Sequence, residues 1–514
     1  MPHFFYSNIY NFSIAVLSGI FITLSLAPFN IWPLAILSCG LTFKILQDKT
    51  FFNSIIIGWL FGFGLFLSGA SWVYVSIHDF GYISHFFALI LTILFCSLLA
   101  LFFAISFGFF AYLNKNSNNL YFSVLLFGAV WILNEYARTY LFSGFPWLFL
   151  GYSQTDFLLG GIAPVVGVYG IGFIISISGP LLMCFYQKPL KMGVVVILIW
   201  MTPLLISNKN FTTAYGDPQK VSLVQANISQ HEKWDPKNLM PTLRLYEQLS
   251  QPYWKYSDLV IWPEAAIPIY YDLASSFLEK ISSITKQSKT NFITGMPTRE
   301  PSVGDIEGKY FNSVISIGVS NEIYHKQKLV PFGEYIPFYD QLGGLLEFFD
   351  LPVSTMSTGK SNQKPLKFNY WQSSPLICYE ITYPNFVAKA ALDSNVLITV
   401  SNDAWFGRSI GPKQHLQMAQ MRALENQRFV LRGTGTGISA IISPKGKIVE
   451  QSEQFQQSVI TGEFSLVNGQ TPWMSYGYWA VPSLCCLIVV ISIFKKKGHI
   501  NSSKRPFIHN NDIQ

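Results

Sequence analysis

Apolar stretches recur along the first two hundred positions of this chain, and most approach the length of about 20 residues that a bilayer-spanning helix requires. They lie near residues 12–28, 30–46, 54–77, 84–112, 120–142, 158–186 and 190–207, with one more near 475–494. Only 12% of the 514 residues are charged, whereas soluble domains carry about 25%. The pattern therefore predicts a membrane protein with about seven helices before a polar segment and one helix after it.

The first two apolar stretches are short, and only the turn residues 27–30 separate them. They are compatible with a tight helical hairpin. The first stretch lacks a strongly basic start and a small-residue cleavage site, and further spans follow it at once. We interpret it as a retained helix rather than as a signal peptide.

The distribution of Lys and Arg in the short loops predicts the orientation of the helices. A cytoplasmic N-terminus places one set of basic residues on the cytoplasmic side, namely Lys44, Lys49, Lys115, Lys188, Lys191, Lys495, Lys496, Lys497, Lys504 and Arg505. The opposite loops are poor in such residues. Both termini are thus predicted to be cytoplasmic and the polar segment extracytoplasmic. The net charge of +7 comes mostly from this bias and the basic tail. Because the sequence shows no basic stripe interleaved with aromatic residues, we expect no nucleic-acid partner.

The composition becomes polar between residues 208 and 470, a length that suits one large globular domain. Short apolar β-rich runs alternate there with helical patterns near 239–251, 273–288, 384–393 and 412–427. The predicted strands are Val221–Ile228, Leu259–Trp262, Asn291–Gly295, Ser313–Val319, Leu376–Cys378, Val396–Ser401, Gly437–Ile442 and Val459–Glu463. This alternation predicts a layered α/β domain. We expect a membrane domain at 1–207, this polar domain at 208–470, a final helix at 471–496 and a basic tail at 497–514.

Cys378 is the only cysteine of the polar segment. A lone cysteine without a disulfide partner in its domain is either a buried inert thiol or a nucleophile. Several predicted strands end in tripeptides that contain polar or nucleophilic side chains. These tripeptides begin at Trp262, Cys378 and Ser401. The loops after strands are where α/β folds place their sites.

Three runs in order carry a family resemblance: residues 260–264 (VIWPE), 324–335 (YHKQKLVPFGEY) and 377–380 (ICYE). Together they resemble the nitrilase superfamily, which has an αββα sandwich and a Glu-Lys-Cys triad. With the flanking spans and the run SGFPW at 143–147, the chain resembles the apolipoprotein N-acyltransferase family over nearly its full length. The resemblance implies a multi-span α-helical membrane domain plus a nitrilase-like α/β domain on the periplasmic side of a bacterial inner membrane.

The resemblance also implies residue roles. Glu264 is the general base, Lys326 stabilises the oxyanion beside a backbone N–H at Tyr379, and Cys378 is the nucleophile. The choice of Lys326 over Lys328 follows from the family's Tyr-x-Lys spacing. An auxiliary role is implied for Glu334, supporting roles for Tyr379 and Glu380, and a place near the lipid entrance for Trp234. The family more often has Asn where Gly435 stands.

The implied reaction is a ping-pong transfer of an acyl chain from a phospholipid, through a thioester, to the α-amino group of a diacylated apolipoprotein. Two other functions remain open from the residues. A membrane-anchored nitrilase-type amidase would need only one anchor, and a transporter or scaffold would not need Cys378. We expect no cofactor and a monomer.

Other residues have a structural interpretation beside a functional one. The histidines at 78, 231, 325 and 415 do not have metal-ligand spacing, so we expect no metal site. A Cys-His pair is an alternative without a supporting motif. Trp405 and Phe406 either line the acyl pocket or pack in the core. Glu135 and Arg138, near the outer end of a span, are predicted to brace the membrane-side loops.

Overall fold

The computed structural model describes residues 2–115, 117, 119–184, 189–206, 209–302, 308–318, 321–337 and 356–503. Several positions used in the predictions above lie outside the described residues, namely Lys188, Val319, Lys504 and Arg505.

Apolar helices form the N-terminal region in the predicted order. They are Pro2–Ser25, Pro33–Leu46, Phe51–Gly69, His85–Asn114, Leu120–Tyr140, Ala163–Met183 and Pro189–Ile206, and the final helix is Tyr478–Ser503. Five apolar helical stretches in the described part of the chain are long enough to cross a membrane: 51–69, 85–114, 120–143, 158–183 and 473–496. The other apolar helical stretches, such as 33–46, are shorter.

Two mainly apolar sheets form the polar domain. The first contains β1 (Thr212–Gln225), β2 (Leu259–Ile261), β3 (Asn291–Glu300), β4 (Lys309–Ile317), β5 (Glu322–His325) and β13 (Ser458–Gly469), in the order β13-β1-β2-β3-β4-β5. The second contains β8 (Leu376–Ile377), β9 (Leu397–Ser401), β10 (Val430–Thr434), β11 (Ala440–Ile442) and β12 (Ile448–Gln451), in the order β12-β11-β10-β9-β8. A small hairpin joins β6 (Leu366–Lys367) to β7 (Gln372–Ser373).

The two sheets pack face to face with helices outside them. One buried cluster joins Leu223 and Ile261 of the first sheet to Ile377, Val400 and Leu431 of the second. A second cluster covers the first sheet with helices Leu239–Ser250 and Ser275–Ser288. A third covers the second sheet with helices Pro384–Leu392 and Gly411–Asn426. The expected αββα sandwich is confirmed, and its strands are apolar because both faces of each sheet are covered.

Helix Gly411–Asn426 joins the sandwich to the membrane domain, and all of its residues except Lys413 are buried. Gln414 donates to the carbonyl oxygen of Gly69 and accepts from the indole of Trp147. Gln417 accepts from the backbone N–H of Ala27. These contacts lie at the ends of membrane helices, so the sandwich packs against one end of the helical bundle.

Five strands of the described part of the chain were not predicted from the sequence, namely β5, β6, β7, β10 and β12, and several predicted strands have different ends in the structure. The strands β5 and β10 contain charged residues that break the apolar pattern, such as Glu322 and Arg432. The predicted strand 376–378 ends at Ile377, and a 3-10 turn over Cys378–Thr382 follows it.

Candidate active site

Glu264 lies in the turn that follows β2, where Pro263 restricts the backbone. The side chain of Glu264 is 6% exposed. The neighbouring strand β3 comes very close, since a Cβ atom at Gly295 would lie 2.6 Å from the Cα of Glu264. Only glycine leaves room for this approach, which holds the Glu264 turn against the sheet.

Glu264, Lys326 and Glu334 converge in one buried cluster. The Nζ atom of Lys326 lies 2.8 Å from Oε1 of Glu334 and 3.6 Å from Oε1 of Glu264. The amide nitrogen of Asn312, on β4, donates to Oε1 of Glu264 at 2.6 Å and to Oε1 of Glu334 at 2.9 Å. The other Glu264 oxygen accepts from the backbone N–H of Asn402 at 2.7 Å. Each carboxylate therefore has a fixed orientation around the ammonium group.

Lys326 is 1% exposed. Burial disfavours its charge, but the Glu334 and Glu264 carboxylates outweigh burial and raise the pKa of Lys326. Lys326 is therefore an ammonium ion at neutral pH. Lys328 instead lies over the ring of Tyr383, 5.4 Å from its centroid.

Cys378 begins the 3-10 turn after β8 and is partly buried. Its backbone is left-handed, with φ of +50°, a conformation that L-residues rarely adopt. Burial, and next the Glu264 carboxylate, raise the pKa of the Cys378 thiol, while Lys326 lowers it. The net direction is upward, so the resting thiol is protonated and needs a base to become a nucleophile.

Glu380 connects the segment that follows Lys326 to the 3-10 turn over Cys378–Thr382, which we call the cysteine turn. Its carboxylate accepts from the backbone N–H groups of Gln327 at 2.6 Å, Lys328 at 3.2 Å and Ile377 at 2.7 Å. The phenol of Tyr324 also donates to it at 3.0 Å. Burial raises the pKa of Glu380 to about 7 despite these donors. Through these hydrogen bonds, Glu380 holds the backbone next to Lys326 and the backbone next to Cys378 close together.

The side chains of Tyr379 and Tyr383 connect the cysteine turn to the membrane domain. The phenol of Tyr379 donates to the carbonyl oxygen of Gly144 at 2.9 Å, and that of Tyr383 donates to Ser143 at 2.8 Å. Glycine is required at 144, because its φ is +90° and a Cβ would lie 2.4 Å from a backbone oxygen. The run at 143–147 therefore lies directly against the candidate site.

The predicted bracing by Glu135 and Arg138 is confirmed. The Glu135 carboxylate accepts from the backbone N–H of Leu150, and Arg138 donates to the carbonyl oxygen of Trp147. Both charged side chains are 1% exposed.

The aromatic residues predicted near the site have different surroundings. Phe406 is buried against Trp72 and Trp147, so it packs in the core. Trp405 remains 38% exposed and packs on Phe80. Trp234 is 48% exposed at the end of the short helix Gln230–Lys233.

Two polar residues of the site had no signal in the sequence. Asn312 reaches both carboxylates only because β4 lies near the Glu264 turn. Lys233 is 3% exposed, and its Nζ atom donates to the carbonyl oxygen of Glu264 at 3.4 Å. Burial lowers the pKa of Lys233 to about 8, against the effect of Glu264. A Cβ at Gly435 would lie 3.8 Å from this Nζ atom, so the position where the family more often has Asn adjoins Lys233.

His415 is also buried near the cysteine, in contact with Asp403 and Arg432. Its Nε2 atom lies 3.2 Å from the carbonyl oxygen of Cys378 and thus contacts the backbone of the turn. Within the described ranges, no three His, Cys, Asp or Glu side chains form a group that could hold a metal ion.

The two regions of the chain match two family descriptions. Residues 18–181 match the apolipoprotein N-acyltransferase N-terminal domain, and residues 220–471 match carbon-nitrogen hydrolase. Among solved structures, a carbon-nitrogen hydrolase superfamily protein from Xanthomonas campestris is 20% identical, with a TM-score of 0.37. It covers 49% of this chain, and 91% of its own chain is covered.

Curated relatives are similar over nearly the whole length. An apolipoprotein N-acyltransferase from Pseudomonas aeruginosa PAO1 is 41% identical over 94% of this chain and 96% of its own. Proteins of the same name from Azotobacter vinelandii and Coxiella burnetii are 39% and 38% identical, again over 94% of this chain and over 95% and 99% of their own lengths.

The sandwich, its buried carboxylate–lysine cluster and the apolar helices define a membrane-embedded protein of the carbon-nitrogen hydrolase class. The matches of both regions to family descriptions, together with the matches to full-length relatives, identify a family within this class. The chain belongs to the apolipoprotein N-acyltransferase family.

Proposed function

We propose that this protein transfers an acyl chain from a phospholipid to the α-amino group of the diacylglyceryl-cysteine at the N-terminus of an apolipoprotein. The observation that carries the proposal is the buried Glu264–Lys326–Glu334 cluster beside Cys378, at the end of a bundle of apolar helices. A thioester route needs a thiol, a base and a positive charge for the oxyanion. Cys378 supplies the thiol, Glu264 the base and Lys326 the positive charge.

In the first half-reaction, Glu264 accepts the Sγ proton while the sulfur attacks the ester carbonyl carbon. The Lys326 ammonium and the Tyr379 backbone N–H stabilise the oxyanion that forms. The carbon–oxygen bond of the ester then breaks, and Glu264 returns the proton to the departing lysophospholipid oxygen. Cys378 is left as a thioester.

In the second half-reaction, the α-amino group of the apolipoprotein attacks the thioester. Glu264 accepts a proton from the amine, the carbon–sulfur bond breaks, and the proton returns to Cys378. The same oxyanion donors act twice, so one site serves a ping-pong cycle. Glu334 and Asn312 keep the ammonium and Glu264 in fixed orientations through both steps.

The membrane helices favour lipid substrates. Extracting an acyl chain into water costs about 0.8 kcal/mol for each CH₂ group, and a site seated on the bundle avoids much of this cost. The tyrosine contacts with Ser143 and Gly144 hold the cysteine turn at the membrane-side loops. Trp234 and Trp405 supply exposed aromatic surface, which suits a membrane interface.

The proposed location is a bacterial inner membrane, with the catalytic domain on the periplasmic side and both termini cytoplasmic. The bias of Lys and Arg supports this orientation. Lys495 lies 3.9 Å from the ring centroid of Phe122, and Lys496 contacts Tyr112. Basic residues of the last helix thus lie beside helix ends that are predicted to be cytoplasmic.

The test is incubation of the purified protein with a labelled phospholipid and a diacylated lipopeptide. Triacylated peptide should form, and Cys378→Ala should abolish its formation. Release of ammonia from small amides without triacylated product would identify an amidase instead. Product formation by Cys378→Ala at the parent rate would exclude the thioester route.

A further inference from the structure

The backbone of Cys378, the candidate nucleophile, is in an unfavourable conformation. The φ of +50° at Cys378 places a non-glycine residue in the left-handed region, a strained conformation that persists only where the surrounding structure imposes it. The two residues of β8 before it pair with β9. The direction of the Cys378 carbonyl group therefore depends on the 3-10 turn that Cys378 begins and on contacts from outside the sheet.

His415 supplies such a contact. Its side chain is 1% exposed, and its Nε2 atom lies 3.2 Å from the carbonyl oxygen of Cys378. A carbonyl oxygen can only accept, so Nε2 must carry the hydrogen. The Nη2 atom of Arg432, which can only donate, lies 3.1 Å from Nδ1. Nδ1 also lies 3.1 Å from Oδ1 of Asp403, which can only accept. The neutral imidazole with its proton on Nε2 donates to Cys378 and accepts from Arg432, while Asp403 is hydrogen-bonded to Arg432 through its other oxygen, Oδ2.

Buried partners fix the imidazole in place. Arg432 forms an ion pair with Asp403 at 2.6 Å, and neither side chain is exposed. A Cβ at Gly437 would lie 2.6 Å from Oδ2 of Asp403, so the chain packs tightly around the carboxylate. Burial, and next the Arg432 guanidinium, lower the pKa of His415. The ring therefore stays neutral at neutral pH, and the contact of Nε2 with the Cys378 carbonyl oxygen requires the tautomer with the proton on Nε2.

A trans peptide is planar, and its C=O and N–H groups point in opposite directions. We propose that His415 is a positioning residue for acyl transfer: it binds the carbonyl oxygen of Cys378 and thereby aims the N–H of Tyr379 at the oxyanion. The hydrogen bond also polarises the peptide, which makes the N–H a stronger donor. This inference rests on the proposed function, in which Tyr379 N–H contacts the oxyanion.

The position of the ring is tied to the membrane domain as well. His415 lies on helix Gly411–Asn426, next to Gln414, which bonds to Gly69 and Trp147. The rings of Trp147 and Phe406 lie 5.8 and 5.9 Å from the imidazole. The residue that donates to the Cys378 carbonyl oxygen therefore lies on a helix that is fixed by contacts with the membrane domain.

The matched substitutions His415→Gln and His415→Asn test the proposal. Both place a neutral amide in the cavity, but only the Gln amide nitrogen reaches the place of Nε2. The experiment measures acyl-enzyme formation on Cys378 by mass spectrometry after exposure to a phospholipid. We expect His415→Gln to stay within about fivefold of the parent rate and His415→Asn to lose about 10–100-fold, somewhat less than the loss of an oxyanion donor itself.

Alkylation of Cys378 by iodoacetamide is the second measurement, followed on the peptide that contains Cys378. Alkylation forms no oxyanion, so its rate should change less than about threefold in both variants if His415 acts through Tyr379 N–H. An equal loss of alkylation and acylation in His415→Asn would mean a merely structural role and would overturn the proposal. Equal acylation rates in the two variants would overturn it as well.

The parent protein separates this inference from the proposed function. If the parent forms no acyl adduct on Cys378, the thioester route itself is wrong. If the parent is acylated and His415→Asn is acylated at the same rate, only the positioning role of His415 is wrong.

Discussion

The Nζ atom of Lys326 lies 2.8 Å from Oε1 of Glu334, and both side chains are largely removed from solvent. An ammonium group this deeply buried requires a carboxylate partner, because an unpaired buried charge is strongly destabilising. The pair explains how a lysine stays charged beside a cysteine whose thiol is protonated. It also makes Glu334 a residue on which the orientation of Lys326 depends.

Replacing Glu334 by Gln should slow acyl-enzyme formation by about 10–100-fold, because Lys326 loses its nearest carboxylate and its fixed direction toward the oxyanion. Single-turnover acylation with a labelled phospholipid measures the effect. Glu247→Gln is the matched control, since Glu247 also pairs with a lysine, the 59% exposed Lys280. An equal rate in Glu334→Gln and the parent would contradict the assigned role.

Asn312 should matter although it carries no charge. Asn312→Leu keeps the approximate volume but removes the amide that donates to Glu264 and Glu334. We expect a loss of about tenfold or more in the acylation rate, since two buried carboxylate oxygens lose a donor. Asn312→Asp should be worse, because it adds a third carboxylate. An Asp variant faster than the Leu variant would show that charge at this position is harmless.

Replacing Glu264 by Gln should affect two reactions of Cys378 differently: alkylation should occur at lower pH, whereas acyl transfer should be lost. The Glu264 carboxylate helps to raise the pKa of the thiol, so Glu264→Gln should lower that pKa. Alkylation by iodoacetamide should then reach half of its maximal rate at a lower pH than in the parent. Acyl transfer should nevertheless collapse, because the base is lost. An upward shift of the alkylation midpoint would contradict the proximity of the two groups.

Tyr379 and Tyr383 should behave alike when only their phenol oxygens are removed. Tyr379→Phe and Tyr383→Phe each lose one hydrogen bond to the membrane-side loop, worth about 0.5–1.5 kcal/mol. Thermal unfolding in detergent should show similar small decreases in Tm for both. A loss of activity more than about tenfold larger in Tyr379→Phe would indicate that its phenol contacts substrate.

Much of the fold follows from local patterns in the sequence. Helix Leu239–Ser250 lies close to its predicted position, and strand β3 begins at its predicted first residue but continues to Glu300; amphipathic or apolar periodicity marks both. The run YHKQKLVPFGEY indicated Glu334 and Lys326 through a family resemblance, and the structure brings both to Glu264. The domain boundaries remain predictions, and so do the roles of the site residues, namely Glu264, Lys326, Cys378, Glu334, Tyr379, Glu380 and Trp234.

The remaining residues depend on contacts that no local pattern encodes. Asn312 is 48 positions from Glu264 in the chain, and His415 is 37 positions from Cys378. The adjacency of strands brings Asn312 to Glu264, and the packing of helix Gly411–Asn426 brings His415 to Cys378. The left-handed turn at Cys378 is also invisible in the sequence, because no glycine marks it.

The most direct test of the thioester route is intact-protein mass spectrometry after exposure to a phospholipid alone, without an acceptor peptide. The parent protein should gain the mass of one acyl chain, mapped to Cys378, and should lose it when a diacylated lipopeptide is added. Cys378→Ala should gain no such mass, while Cys486→Ala, which removes an exposed cysteine elsewhere, should behave like the parent. A parent protein that makes triacylated peptide without ever carrying an acyl group on Cys378 would contradict the account.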